Sequence, residues 1–251
     1  MATLKITNLT KSFGHLMAVK GISLQMEAGE RRAIIGPNGA GKTTFFNLLS
    51  GEIAPTSGRV EFDGQEITHL PTFRRAQLGI GRTFQRNSLM PKLTVLENVC
   101  LAVQARQQAT LWRTFLTPIS AKSELMANAE SIVRELDLER SKGVRAGHLA
   151  YGEQRRLEIA LAMATQPRLL LLDEPTAGMS MPEALELVSW LQRLPRTVTM
   201  LIVEHNMDVV FGLADQIMVL YYGEMLADGP AAEVRRNPSV MSVYLGDEEI
   251  L

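Results

Sequence analysis

The 251-residue chain has a single cysteine, Cys100, so it can form neither an internal disulfide nor a cysteine-rich metal site. The thiol reads as a small core hydrophobe, and the composition fits a reducing compartment. Long apolar runs are missing as well. The longest strongly apolar stretch, Leu169 to Leu172, is strand-sized and falls far short of the roughly 20 residues a helix needs to cross a bilayer. Any membrane role is therefore expected to run through a partner. Met1 to Lys5 lacks the basic, apolar and cleavage regions of a signal peptide, which points to a protein that stays in the cytoplasm. A net charge of −1 gives no basic field for nucleic acid. Aromatic residues are scarce, and none interleave with the arginine clusters at Arg74-Arg75, Arg82, Arg86, Arg155-Arg156 and Arg235-Arg236 to make a base-stacking platform. Most of these arginines read as solvated faces, and no nucleic-acid partner is expected.

The length suits one large α/β domain with an inserted subdomain. Leu4 to Leu9 and Met17 to Leu24 alternate like a half-buried antiparallel sheet, and the Gly29-Glu30 turn leads into a strand over 31–35. A helix is expected over Thr43 to Leu49, stopped by Gly51, followed by a strand over Gly58 to Phe62 with a turn at Asp63-Gly64. From residue 85 to 148 the spacing turns helical: Leu93, Leu96, Val99 and Leu101 come first, then Ile132-Val133 and Leu136 among charges. This predicts an inserted helical subdomain, flanked by a core of residues 1–84 and 149–251. The core resumes with alternating elements: helix 152–164, strand 169–172, helix 182–194, strand 199–203 and helix 206–212. That alternation argues for a mostly parallel sheet. A hairpin over 217–220 and 224–227 and a last short helix ending at Asn237-Pro238 complete the expected chain.

Gly36-Pro37-Asn38-Gly39-Ala40-Gly41-Lys42-Thr43 fits the phosphate-loop pattern G-x-x-x-x-G-K-[ST] and lies between a predicted strand and a predicted helix. The glycines let the backbone wrap around phosphates with its N–H groups pointing inward, and the helix offers its positive end, with Thr44 in its first turn. Lys42 supplies a cation for the β- and γ-phosphates of ATP, and the Thr43 hydroxyl can ligate Mg²⁺. Leu169 to Glu174 is an apolar strand ending in two acids, placed where ligands bind on a parallel sheet. Asp173 suits Mg²⁺ and Glu174 suits polarisation of an attacking water.

Taken in order, the phosphate loop, Gln85 in Gly81-Arg82-Thr83-Phe84-Gln85, the segment Leu149-Ala150-Tyr151-Gly152-Glu153-Gln154, Asp173-Glu174 and His205 resemble the nucleotide-binding subunit of ABC transporters along nearly the whole chain. The resemblance implies the phosphate-loop NTPase fold of an ABC ATPase domain: an α/β core with a mostly parallel sheet, an antiparallel β subdomain and an inserted helical subdomain. It implies that Gln85 senses Mg²⁺ and the attacking water and links the site to the membrane partner, and that His205 contacts the γ-phosphate. Phe13 resembles the aromatic that stacks on adenine; from its position near a hairpin, core packing is a nearly equal alternative. The segment Ala150, Tyr151, Gly152 and Glu153 would complete, in trans, the ATP site of a second ATPase subunit, the same chain or a related one.

The usual form of that segment is L-S-G-G-Q; here Ala150 replaces the serine and Tyr151 the first glycine. Ser180 also stands where many relatives carry an aspartate that makes a cross-dimer contact. These departures, with Leu157 to Ala160 and the tail Tyr222-Gly223-Glu224, Asp228 to Pro230 and Val243 to Gly246, resemble the branch serving hydrophobic and branched-chain amino acid importers. The branch implies an ATPase peripheral to the cytoplasmic face of the membrane, two transmembrane permease subunits and an extracytoplasmic solute-binding protein acting indirectly. Urea or amide uptake, lipid export and a soluble non-transport complex are the alternatives.

Overall fold

Alternating and uniformly apolar segments produce two different sheets. The computed structural model describes residues 4–83, 89–107 and 119–245. Alternation at the N-terminus gives a half-buried antiparallel sheet in the order β2-β1-β4-β5, from β1 (Leu4–Phe13), β2 (Leu16–Met26), β4 (Ser57–Phe62) and β5 (Gln65–Glu66). Asp63 and Gly64 join the last two with φ of 52° and 77°, the mirror-image turn that follows the right-handed twist of the strands.

The second sheet runs β10-β9-β3-β8-β7-β6, from β3 (Arg31–Ile35), β6 (Ile80–Arg82), β7 (Leu169–Asp173), β8 (Thr199–Val203), β9 (Gln216–Tyr221) and β10 (Glu224–Pro230). Its pairs are parallel except for β9 with β10. The apolar run of β7 serves both faces. Leu170 and Leu172 pack with Met200 and Ile202 under the helices on one side, while Leu169 and Leu171 pack with Leu201, Val203 and Ile34 on the other.

Helix α1 (Lys42–Ser50) follows β3 and stops at Gly51, whose φ of 80° serves as the left-handed cap. Helices α3 (Val95–Gln107) and α4 (Ile119–Glu135) pack against α5 (Tyr151–Ala164), and α6 (Met181–Arg193) and α7 (Met207–Leu213) cover the sheet. The buried stripe of α3 is Val95, Val99 and Val103; Leu101, counted with the apolar spacing in the sequence, is exposed because it falls on the opposite face. Cys100 lies partly buried against this cluster, and desolvation pushes its thiol above the usual range, helped by Glu130 and Glu97.

Helix α2 (Thr72–Gln77) and strand β6 have no clear sequence signal. Both are short, and β6 is fixed by pairing with β7 and not by an apolar run of its own. At the C-terminus α8 (Ala231–Val234) is followed by α9 (Pro238–Leu245), so Pro238 opens a helix where the sequence suggested an end; proline is tolerated in the first turn, where no intrahelical N–H bond is lost.

Arg75 and Arg82 are exceptions to the reading of most of the clustered arginines as solvated faces. Arg75 is 1% exposed. Its guanidinium donates to the carbonyl oxygens of Leu48 at 2.6 Å, Leu49 at 2.7 Å, Leu70 at 2.9 Å and Thr68 at 2.9 Å. It therefore caps the negative C-terminal end of α1, whose last carbonyls have no partner within the helix. Burial pulls its pKa down to about 10, which still leaves it charged near neutrality. Arg75→Met should cost about 3 kcal/mol by stranding these carbonyls, a loss measurable by urea unfolding; an unchanged midpoint would show that the cap contributes nothing to stability.

Candidate nucleotide-binding site

The order of the parallel strands gathers the candidate residues. β8 lies between β3 and β7, and Val203 is level with Ile34 on one side and Asp173 on the other. The residues that follow these strand ends, Gly36, His205 and Glu174, therefore emerge side by side at the carboxyl edge of the sheet, the usual ligand edge of an open parallel sheet.

The loop between β3 and α1 is held by close backbone approach. A Cβ on Gly36 would lie 2.1 Å from the Leu220 carbonyl oxygen, and one on Gly41, at φ 101°, would lie 2.3 Å from that of Ala18. Glycine is required at both positions. The tip of the β9–β10 hairpin braces the loop from outside: Gly223 N–H donates to Ala40 at 3.0 Å, and its carbonyl accepts from Lys20 N–H at 2.8 Å. A cleft of about 710 Å³ opens above the loop. Its lining includes Asn38, Gly39, Ala40, Gly41, Lys42, Thr43 and Thr44 together with Glu174, His205, Phe13 and Tyr222. Phe13 is 50% exposed, with the Lys11 ammonium 5.0 Å from its ring centroid, so it is an accessible aromatic surface and not a core side chain.

Within the cleft Lys42 is 6% exposed and donates to the carbonyl oxygens of Gly36 at 2.6 Å and Pro37 at 2.9 Å. Burial lowers its pKa, and the charges of Glu174 and Asp173 oppose that shift. The Asp173 side chain is fully buried and accepts from Arg82 at 3.2 Å through Oδ2. Its Oδ1 has no partner among the described residues. Burial raises its pKa, and the Arg82 guanidinium pulls it back. Arg82 also donates to Asn47 at 2.9 Å, Ser50 at 2.8 Å and Glu52 at 2.7 Å, tying α1 to β7.

Glu174 is left-handed at φ 47°, and its N–H donates to the Val203 carbonyl oxygen at 2.9 Å. Its Oε1 lies 3.1 Å from His205 Nε2. The turn behind this pair is pinned by a residue that sequence reading passed over. Glu204, 3% exposed, accepts from Thr176 N–H at 3.0 Å, Thr176 Oγ1 at 2.7 Å and His205 N–H at 3.1 Å. An acid next to a candidate histidine at the end of a buried strand was the available signal. Gln85 lies outside the described residues.

Among the described residues, none of Ala150, Tyr151, Gly152 and Glu153 lines the Lys42 cleft. They open α5 elsewhere in the same chain. Ala150 has no side-chain acceptor for a cap. Glu153 turns back to accept from Ala150 N–H at 3.2 Å and from the Ser141 hydroxyl, so its carboxylate is used within its own chain. The first-turn N–H groups of α5 have no acceptors within the helix, which leaves an anion-seeking end. Ser180 is likewise engaged locally: it stands just before α6, where its N–H at 2.9 Å and its hydroxyl at 2.6 Å both donate to Glu183 Oε2.

Comparison with known proteins agrees with this architecture. Residues 19–177 match the ABC transporter family model, and residues 224–250 match that of the branched-chain amino acid ATP-binding cassette transporter. The chain is 43% identical to the high-affinity branched-chain amino acid transport ATP-binding protein BraF of Pseudomonas aeruginosa, over 97% of this chain and 98% of the relative. With the Escherichia coli protein LivG, of the same description, identity is 39% over the same shares. The crystal structure of an ATP-binding cassette of an ABC transporter in its ADP conformation superposes with a TM-score of 0.86 at 31% identity, covering 98% of this chain and 99% of that one. A dimeric cassette in a post-hydrolysis state with ADP and phosphate gives 0.75 at 28%, covering 91% and 98%. With a phosphate loop, a sheet edge carrying two acids and a histidine, and these relatives along almost its full length, the chain belongs to the ABC transporter ATP-binding family and is a nucleotide-binding ATPase subunit.

Proposed function

We propose that this ATPase energises uptake of branched-chain or other hydrophobic amino acids. What carries the reading is the match of residues 224–250 to the branched-chain cassette model, a segment outside the general ATPase match at 19–177. Identity of 39–43% with BraF and LivG supports it. No helix among the described residues is long and apolar enough to cross a membrane. By likeness to those transport proteins the chain would act peripherally on the cytoplasmic face, bound to two transmembrane subunits that receive solute from an extracytoplasmic binding protein. Residues 85–148 would form the helical subdomain between core segments 1–84 and 149–251, with Gln85 linking the site to the membrane partner.

In this reading the loop from Gly36 to Thr44 holds the phosphates and Phe13 stacks on adenine. Lys42 exchanges its two neutral carbonyl acceptors for phosphate oxygens, and charge-assisted bonds are the stronger ones. The unpartnered Oδ1 of Asp173 and the exposed Thr43 hydroxyl fit Mg²⁺, with Gln85 as the further candidate ligand. When bound, the ion would neutralise charge on the phosphates. Glu174 accepts a proton from the attacking water, and His205, held 3.1 Å from it, is placed to meet the γ-phosphate. The α5 end of a second copy, at Ala150 to Glu153, would close over the same phosphates. Binding thus favours a dimer, and hydrolysis releases it.

Glu174→Gln should bind ATP normally, hydrolyse it about a hundredfold or more slowly, and accumulate as an ATP-dependent dimer in gel filtration; near-normal turnover would remove Glu174 from the chemistry. Lys42→Ala should weaken ATP binding and abolish turnover, and full activity with unchanged affinity by calorimetry would contradict its assignment. In host cells lacking this chain, uptake of labelled leucine should fall and be restored by the wild type but not by Lys42→Ala. Undiminished leucine uptake with loss of urea or amide uptake would redirect the solute assignment.

A further inference from the structure

Tyr151 occupies the first position of α5, where the usual segment has a glycine. Its phenol reaches off its own helix. The hydroxyl donates to the Ala177 carbonyl oxygen at 2.8 Å and accepts from Arg155 Nε at 3.1 Å. Arg155, one turn along, places its guanidinium 5.2 Å from the ring centroid and pairs with Glu158 at 2.8 Å. Tyr151 as a whole is 44% exposed, so hydrogen bonding and the arginine hold it more than burial does. Ala177 belongs to the turn that carries Glu174: its N–H donates to the Glu174 carbonyl oxygen at 3.1 Å, and neighbouring Thr176 is fixed by Glu204. Gly178, at φ 78°, keeps the approach open, since a Cβ there would lie 3.2 Å from the phenol oxygen.

We propose that Tyr151 is a positioning residue that couples the two nucleotide sites of the dimer. The proposal rests on the reading above, in which the Gly152 end of α5 closes on the nucleotide of a second copy. Closure would then move Tyr151 with α5, and its hydroxyl would carry the displacement to the Ala177 peptide and so to Glu174, which faces the nucleotide of its own chain. A glycine at this position has no group that could make the contact. Glu174 in one site is in this way aligned by ATP in the other, giving a coupling free energy between sites that shows itself as cooperativity.

Tyr151→Phe keeps the ring and its arginine but removes the hydroxyl. In the full chain kcat should fall about tenfold with KM for ATP within about twofold, and the Hill coefficient should drop towards 1. Tyr151→Gly should do the same, and both variants should melt within a few degrees of the wild type. Wild-type kcat and cooperativity in Tyr151→Phe would overturn the proposal. Combining Tyr151→Phe with Glu174→Gln separates the two levels: ATP-dependent dimers should persist in the double variant. If Glu174→Gln alone formed no dimer, the dimer reading would fail and the coupling with it. A dimer together with unaltered kinetics in Tyr151→Phe would overturn the coupling alone.

Discussion

A nearly buried ammonium held by two carbonyl oxygens of its own loop is the interaction on which the site turns. Among the described residues Lys42 has no hydrogen-bonded carboxylate; it closes the loop on itself through Gly36 and Pro37, and burial lowers its pKa. A cation desolvated against neutral acceptors is poorly compensated, and phosphate oxygens offer a better exchange. The rest of the neighbourhood keeps this arrangement open. Leu220 and Ala18 carbonyls press on the glycines, and Gly223 fastens Ala40 from the hairpin. Backbone contacts from outside the loop thus hold its shape.

Buried arginines extend the same logic along α1. Its N-terminal end must stay free for anions, so its C-terminal end is neutralised internally by Arg75. Arg82 fastens the same helix to β7 through Asn47 and Ser50 and places its other branch on Asp173. The near-zero net charge of the chain conceals this: the interior carries several charges, and its cations Lys42, Arg75 and Arg82 are each positioned against a carbonyl or an acid. Glu204 plays the corresponding role near Glu174, binding the turn after it to the backbone of His205.

Legibility in the sequence followed length and periodicity. β7 was readable because its leucines serve two faces, and α1, α5 and the β9–β10 hairpin because a glycine or an apolar spacing marks each. β6 has three residues, one of them glycine and one an ion-paired arginine, and its place is set by β7 and not by itself. Arg75 and Arg82 looked like surface charges because charge alone does not reveal which carbonyls a fold will bring to them. The candidate site was readable as motifs, whereas Glu204 and the cis contact of Tyr151 depend on approaches between segments distant in the sequence. Ala150 and Tyr151 marked the branch, but the engagement of the phenol with Ala177 required the fold.

In the proposed function the nucleotide site is a composite of two chains, because the Lys42 cleft and the α5 end are separate surfaces of one chain. Mixing two defective variants tests this most directly. Lys42→Ala damages the cleft and keeps the α5 end, while Gly152→Asp does the reverse by placing a carboxylate at that end. With Glu174→Gln in both chains, retention of labelled ATP through gel filtration reports closed sites. The account predicts little ATP retained by either variant alone and clear retention by the mixture, in which one intact composite site forms per mixed dimer. Full retention by the Gly152→Asp chain alone, or no gain on mixing, would contradict it.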